Sequence, residues 1–125
     1  MASTAKNVLI VEDNAVARES LAAILGREGY DVAAVENGLQ AVDYLASNPI
    51  PAVILLDMLL PVLDGWQFLE RMSRMNLEPR PWIILTSGHP AIGRDWALAH
   101  GCNSFLRKPI ASGVLFDEVG AAFDS

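Results

Sequence analysis

The feature that most constrains the fold of this 125-residue chain is a regular alternation of short apolar runs with longer amphipathic stretches. The apolar runs are too short for helices and are bounded by turn residues, so they are predicted to be strands. These strands span residues 7–11, 31–35, 52–56, 82–85 and 104–106. The stretches between them carry apolar residues at helical spacing, which predicts helices near residues 14–28, 39–46, 65–75, 91–100 and 112–123.

The order of these elements predicts the fold class. Strands that alternate with helices form a parallel sheet through right-handed crossovers. Apolar runs without polar interruption, such as AVILL at 52–56, predict strands covered on both faces. We therefore expect an α/β fold, a three-layer doubly wound (βα)5 sandwich around a five-stranded parallel sheet.

Composition and charge exclude several classes of protein. A chain that is 52% hydrophobic and 19% charged is not disordered, and no apolar run reaches the roughly 20 residues that span a membrane. The net charge of −6 leaves no basic surface for direct binding to nucleic acid. The single cysteine, Cys102, excludes an internal disulfide, and a cytoplasmic setting is expected.

Polar residues follow the predicted strands where each strand ends. They are Glu12 and Asp13 after the first strand, Asp57 after the third, Thr86 after the fourth and Lys108 after the fifth. These ends share one edge of a parallel sheet, and a 2-1-3-4-5 strand order would bring Asp13 and Asp57 together at its centre. Carboxylates held this close favour a Mg²⁺ ion, and an added ammonium and hydroxyl make a phosphoryl-transfer site. Asp57, the most central carboxylate, is the predicted nucleophile.

Four segments, in order along the chain, resemble the receiver domains of two-component response regulators, the CheY-like superfamily. They are VLIVEDN (8–14), LLDMLLPVLDGW (55–66), IILTSG (83–88) and GCNSFLRKPI (101–110). The second contains the family's D-x-x-x-P-x-x-D-G pattern, and the fourth contains its Lys-Pro pair. The resemblance covers nearly the whole chain and implies the flavodoxin-like arrangement with strand order 2-1-3-4-5.

The resemblance also implies a metal site. Asp13 and Asp57 would bind Mg²⁺, or Mn²⁺, directly. The backbone carbonyl of Leu59 would be another ligand, and Glu12 would act mostly through water. The family's acidic pair is often Asp-Asp, and here it is Glu-Asp.

Phosphoryl transfer and switching are implied for four further positions. Asp57 would accept the phosphoryl group, Thr86 would bind one of its oxygens and Lys108 would pair with it. The Lys108-Pro109 bond is expected to be cis. Phe105 would be the aromatic residue that changes rotamer, and without a hydroxyl it would act by packing alone.

The partners implied are a sensor histidine kinase or a histidine phosphotransfer protein, docking on the first helix near Val16, and a downstream protein target. The target would meet the face made by the fourth helix, the fifth strand and the fifth helix, which could also form a dimer. Residues 1–125 are expected to be a single receiver domain with no output domain and with no catalysis beyond its own phosphorylation and dephosphorylation.

Two other functions compete with this interpretation. A haloacid-dehalogenase-like phosphatase also uses a nucleophilic Asp with Mg²⁺, but it needs an acid two residues later, where this chain has Leu59. A pseudo-receiver, which acts only as an interaction module, would have lost part of the acidic and lysine set.

Among the remaining residues, Trp66 is expected in the core and His100 on the surface.

Overall fold

A computed structural model describes residues 6–124 and contains five strands and five helices in strict alternation. The strands are β1 (Asn7–Val11), β2 (Asp31–Val35), β3 (Val53–Asp57), β4 (Trp82–Ser87) and β5 (Ser104–Arg107). The helices are α1 (Ala15–Arg27), α2 (Gly38–Ser47), α3 (Gly65–Arg74), α4 (Arg94–Ala99) and α5 (Ser112–Phe123). Residues 1–5 and 125, which the single-domain prediction also covers, lie outside the described residues.

The sheet is parallel throughout, and its strand order is β2-β1-β3-β4-β5. The predicted α/β fold and strand order are therefore confirmed. β1 and β3 are neighbours at the centre, in a register that pairs Val11 with Leu56. Between β3 and β4, Asp57 lies opposite Thr86. This register brings the polar ends of the first, third and fourth strands to one edge.

Two apolar layers hold the sheet from opposite sides. One contains Phe68 of α3, packed with Ile54, Leu56 and other buried residues from the sheet, α2 and α4. The other joins Leu55 and the alternate strand residues to Leu25 of α1 and to α5. Burying each of these large side chains contributes about 1.5–3 kcal/mol. The two layers make the sheet a rigid support for the loops at its edge.

Side-chain caps fix where three helices begin. Asn14, Asn37 and Asp64 each accept a hydrogen bond from the backbone N–H three residues later, as N-cap residues do. At Asp64 the side chain of Gln67 also accepts from the backbone N–H of Asp64, which completes a capping box. The cap of α1 follows the loop that carries Asp13, and the cap of α3 follows the loop after Asp57, so the two caps help to hold these loops.

Two element boundaries differ from the sequence prediction by more than one residue. α4 begins at Arg94 rather than near residue 91, because the Ala91 N–H donates to Nδ1 of His89 in a turn before the helix. β4 continues to Ser87, two residues beyond the predicted end, because Thr86 and Ser87 pair with β5. No helix among residues 6–124 is long and apolar enough to cross a membrane.

Candidate functional site

Three carboxylates meet where β1 and β3 end. Asp57 is the last residue of β3 and is 5% exposed, while Glu12 follows β1 and is 2% exposed. Asp13 is exposed beside them. One oxygen atom from each of the three residues lies within 4.8 Å of the others. The convergence predicted for these residues is therefore present.

Lys108 reaches this cluster from the loop after β5. Its Nζ donates to Oε1 of Glu12 at 2.7 Å and lies 3.1 Å from Oδ2 of Asp57. The backbone N–H of Lys108 donates to the carbonyl of Ser87, so the β4 end holds the start of this loop. The Lys108-Pro109 bond is cis, as expected. One ammonium group thus bridges two buried carboxylates.

Both carboxylate oxygens of Glu12 are already engaged. Oε1 accepts from Lys108 Nζ, and Oε2 accepts from the backbone N–H of Asn14 at 3.1 Å. The Asp13 side chain is exposed, and Asp57 accepts only a long 3.4 Å hydrogen bond from the Leu59 N–H in addition to its contact with Lys108. Of the three residues, Asp13 and Asp57 therefore have more freedom to bind a cation.

Burial and charge together raise the pKa of both the acid and the base of the site. Burial, followed by the nearby charge of Glu12, raises the pKa of Asp57 to about 6, although Lys108 opposes the shift. Burial on its own would lower the pKa of Lys108, but hydrogen bonds and charges from Glu12 and Asp57 outweigh it and raise that pKa. The lysine therefore stays charged at neutral pH, beside a carboxylate that is costly to ionise.

Thr86 lies next to Asp57 in the sheet but does not touch its carboxylate through the hydroxyl. The Oγ1 atom of Thr86 donates weakly to the Leu56 carbonyl at 3.5 Å, and the residue is 2% exposed. The Thr86 carbonyl accepts from the Met58 N–H at 3.0 Å, which ties the β3–α3 loop to the end of β4. The structure therefore brings Thr86 near the site with its hydroxyl still turned to the backbone.

Phe105 is half-buried on β5, and a cation covers its ring. The guanidinium carbon of Arg107 lies 4.9 Å from the ring centroid, and Arg107 Nη1 also donates to the carbonyl of His89 at 2.6 Å. Because Arg107 joins Phe105 to the loop after β4, packing alone does not describe the surroundings of this aromatic residue. The sequence pattern did not single out Arg107.

An aromatic cluster joins α3 to α4, and it corrects two expectations. Trp66 is 40% exposed rather than a core residue. His100 is half-buried and stacks on Trp96 with ring centroids 3.8 Å apart, while Trp66 meets His100 edge-on at 4.8 Å. Trp66 lies in the first turn of α3, where its ring packs against Trp96 and His100 and stays partly open to solvent instead of entering the core.

Arg18 is a further residue at the site that the sequence analysis missed. Its Nη1 donates to the carbonyls of Glu12 at 2.9 Å and Asp13 at 3.3 Å, and its Nη2 lies 3.9 Å from Oε2 of Glu36. A signal was available, since helical side chains point back toward the N-terminus and Arg18 lies in the second turn after the acidic pair.

The donor set fits a hard divalent cation. Carboxylate oxygens are the ligands that Mg²⁺ and Mn²⁺ prefer, and the cluster combines the exposed Asp13 with the buried Asp57 and Glu12. No histidine or cysteine takes part in it. With its adjacent ammonium, the site could bind a metal ion and a phosphoryl group side by side.

Comparisons with known proteins identify the family. The sequence matches the model of the response regulator receiver domain over residues 8–120. It is 34% identical over 114 residues to the transcriptional regulatory protein HprR of Escherichia coli (strain K12), covering 91% of this chain and 50% of that protein. It is 33% identical over 104 residues to the response regulator MprA of Mycobacterium sp. (strain KMS), covering 83% of this chain and 44% of that protein. The chain therefore belongs to the response regulator receiver domain family, the signalling modules of two-component systems, and it spans about half the length of these curated relatives.

One solved structure of similar fold contains a magnesium ion. The receiver domain of the sensor histidine kinase PA1611 from Pseudomonas aeruginosa PAO1 has a magnesium ion coordinated in its active site cleft. It superimposes with a TM-score of 0.86 at 31% identity, covering 98% of this chain and 100% of that chain. The receiver domain of a signal transduction histidine kinase from Syntrophus aciditrophicus gives a TM-score of 0.82 at 30% identity, covering 96% of this chain and 91% of that chain.

Proposed function

We propose that this chain accepts a phosphoryl group on Asp57 from a phosphohistidine of a sensor histidine kinase or a histidine phosphotransfer protein. The observation that carries the proposal is the convergence of Asp57, the acidic pair Glu12 and Asp13, and Lys108 at one edge of the sheet. A carboxylate with a cation on one side and other oxygen ligands beside it is suited to attack phosphorus in line.

Asp13, Asp57 and the backbone carbonyl of Leu59 are the proposed direct ligands of Mg²⁺, or of Mn²⁺ in its place. When bound, the metal would neutralise charge that develops on the phosphoryl oxygens. Glu12 would act through water, because both of its carboxylate oxygens accept hydrogen bonds from within the chain.

The chemical step exchanges one bond to phosphorus for another. An Asp57 carboxylate oxygen forms a bond to phosphorus as the bond from phosphorus to the donor's imidazole nitrogen breaks, and the product is an aspartyl phosphate. Lys108, already 3.1 Å from Asp57, would pair with a phosphoryl oxygen. The chain would modify only itself, because the aspartyl phosphate forms on Asp57 and is later hydrolysed there. The chain would therefore act as a switch between two states.

The switch would pass from Thr86 to Phe105. Once Asp57 is phosphorylated, the Thr86 hydroxyl would leave the Leu56 carbonyl, which it meets at the 3.5 Å limit of hydrogen bonding, and bind a phosphoryl oxygen. Phe105 would then rotate inward, away from Arg107, in a shift between two packed states. The altered face of α4, β5 and α5 would bind a downstream protein and could pair with a second copy.

The phosphodonor would dock beside α1, where a groove of about 610 Å³ runs between α1 and the start of α5. Apolar residues such as Leu21, Ile24 and Ile110 line this groove, and Glu12 and Lys108 line it too, so the groove adjoins the site. Val16 also lines the groove and is 78% exposed. The single buried cysteine agrees with a cytoplasmic setting, where such donors would be met.

Intact mass spectrometry after incubation with acetyl phosphate tests the proposal. The wild-type chain with Mg²⁺ is expected to gain one phosphoryl group, and EDTA should prevent the gain. D57N should gain none. D43N, which replaces an exposed aspartate of α2, should behave as wild type. A chain that gains no phosphoryl group and binds no beryllofluoride with Mg²⁺ would contradict the proposal, and sustained acetyl phosphate turnover would indicate a phosphatase.

A further inference from the structure

We infer that Arg18 is a positioning residue for the metal site, holding the loop that carries Asp13. The inference rests on the proposed function, because it assigns Arg18 a part in the metal binding that phosphorylation needs. Arg18 itself is a cation and would touch neither the metal ion nor the phosphoryl group.

The contacts of Arg18 all lie in the backbone and carboxylates around the acidic pair. One nitrogen, Nη1, donates to two successive carbonyls, those of Glu12 and Asp13. The other, Nη2, faces the carboxylate of Glu36 at 3.9 Å. A planar guanidinium carries its donors on separate nitrogens in a fixed fork, so one nitrogen can donate to both carbonyls while the other faces the carboxylate.

The place of Arg18 on α1 makes these contacts informative. A positive charge near a helix N-terminus is unfavourable to the helix dipole, and the first turn of α1 contains no acidic residue to compensate for it. The side chain of Arg18 is 19% exposed, so most of it is withdrawn from water. An arginine held in this position is best explained by the carbonyls that it binds.

These contacts fix the Glu12-Asp13 loop between β1 and α1. The Glu12 N–H donates to the carbonyl of Val35, and Asn14 is held by its cap on α1 and by its N–H bond to Glu12. The exposed Asp13 is the ligand that this framework constrains least, and the bond from Arg18 to its carbonyl supplies a constraint. Groups that orient metal ligands in this way typically change metal affinity by about 10–100-fold when they are removed.

Two physical effects of Arg18 oppose each other, and this makes the inference testable by its sign. If Arg18 acted only through its charge, removing it would strengthen the binding of a cation to the acidic cluster. If Arg18 positions Asp13, removing it weakens binding although a repulsive charge has gone. A loss of affinity in R18M therefore indicates positioning.

The experiment measures Mn²⁺ binding to the full chain by electron paramagnetic resonance of the free ion. R18M is expected to bind Mn²⁺ about tenfold or more weakly than wild type. R18K keeps an ammonium group that can still donate to the loop carbonyls, although without the fork, so it should lose less. R27M removes the same charge from the last turn of α1 and should bind as wild type.

A second readout separates positioning from loss of stability. Affinities are compared at a temperature where circular dichroism shows every variant to be folded. Phosphorylation by acetyl phosphate should need more Mn²⁺ in R18M but reach a wild-type rate at saturation, because only the metal requirement changes. Equal or tighter Mn²⁺ binding by folded R18M would overturn the inference, and if R18M does not fold, an unchanged affinity in R18K would overturn it.

The two proposals fail in different ways. If the wild-type chain binds Mn²⁺ and accepts a phosphoryl group while R18M binds Mn²⁺ equally well, only the role of Arg18 is wrong. If the wild-type chain binds no Mn²⁺, the proposed metal site is wrong and the role of Arg18 falls with it.

Discussion

At the scale of single residues, the site is a balance between one lysine and two buried carboxylates. Lys108 offsets the cost of burying Glu12 and Asp57, but it does not remove the cost for Asp57, whose pKa remains raised to about 6. Buried acidic residues whose ionisation is unfavourable are common at functional sites. Two stability predictions follow from this balance.

The first prediction concerns the stability of D57N as a function of pH. Folding raises the pKa of Asp57 from 3.8 to about 6, so the folded chain binds the proton more tightly and its stability falls as the pH rises through that window. In EDTA at pH 7.5, D57N is therefore expected to be more stable than wild type by about 1–3 kcal/mol. The gain should disappear as the pH falls toward 4.

Urea denaturation at several pH values measures this gain. D43N, which changes an exposed aspartate, is the matched control and should show no such trend. A D57N variant that is less stable than wild type at pH 7.5 would show that the contact with Lys108 outweighs the burial of Asp57.

The second prediction concerns Lys108, whose side chain is 30% exposed. K108M leaves two buried carboxylates without their shared cation, so it should destabilise the fold at pH 7.5 by about 1–3 kcal/mol and slow phosphorylation by acetyl phosphate. K6M changes the chain's other lysine, which is exposed, and should do neither. A K108M variant as stable and as readily phosphorylated as wild type would contradict the role given to this ion pair.

Residue-scale prediction from sequence succeeded where the fold alone decides position. The site residues stand at the ends of strands or just after them, so the sheet brings them together whatever their side chains do. They are Glu12, Asp13, Asp57 and Lys108. Contacts that depend on side-chain direction were missed, such as the guanidinium of Arg107 over Phe105. The two residues are two positions apart, the spacing of one strand face, but the predicted strand ended at residue 106 and so left Arg107 out.

At the scale of elements, the loops at the sheet edge are held by helix starts. The backbone N–H of Gly38, the first residue of α2, donates to the Leu63 carbonyl in the β3–α3 loop at 3.1 Å. A Cβ atom at Gly38 would overlap that carbonyl. The start of α2 therefore helps to shape the loop that follows Asp57.

The third prediction tests this contact between elements. G38A should destabilise the fold by about 1–3 kcal/mol, because the new methyl group has no room beside the Leu63 backbone. G26A, in α1 where a Cβ would meet nothing within 4 Å, should instead stabilise the fold by about 0.5–1 kcal/mol. Thermal unfolding measures both, and a G38A variant as stable as wild type would show that the loop yields easily.

Element boundaries were predictable where a cap or a glycine marks them. Gly29, with φ of 92°, follows α1 as expected, and the Asn14 cap begins that helix. The start of α4 was placed wrongly because the ring of His89 forms a turn with Ala91 that composition does not reveal. Gly93, which caps α4 without a side chain, gave no polar signal for the true start.

At the scale of the whole molecule, two apolar layers support one functional edge. The alternation of strands and helices was enough to predict the sheet, because parallel strands covered on both faces allow few other arrangements. The position of the site then follows from the strand order. The aromatic cluster between α3 and α4 could not be predicted from the sequence. The pattern of each helix does not show which helices lie side by side, and so it does not place Trp66 beside Trp96 and His100.

The fourth prediction concerns the layer on the α3 side. Phe68 is fully buried, so F68A should cost about 3–5 kcal/mol of unfolding free energy. V16A, at a position 78% exposed, should cost little. Urea denaturation compares the two, and a loss in F68A no larger than that in V16A would contradict the packing described.

Mapping the phosphoryl group along the chain tests whether Asp57 is the residue that carries it. The wild-type chain is treated with acetyl phosphate and Mg²⁺, the acyl phosphate is reduced with borohydride, and the peptides are sequenced by mass spectrometry. Homoserine is expected at position 57 alone, and only when Mg²⁺ was present. Homoserine at Asp13, or the 5-hydroxynorvaline that reduction of a glutamyl phosphate at Glu12 would give, found with an unmodified Asp57, would contradict this assignment.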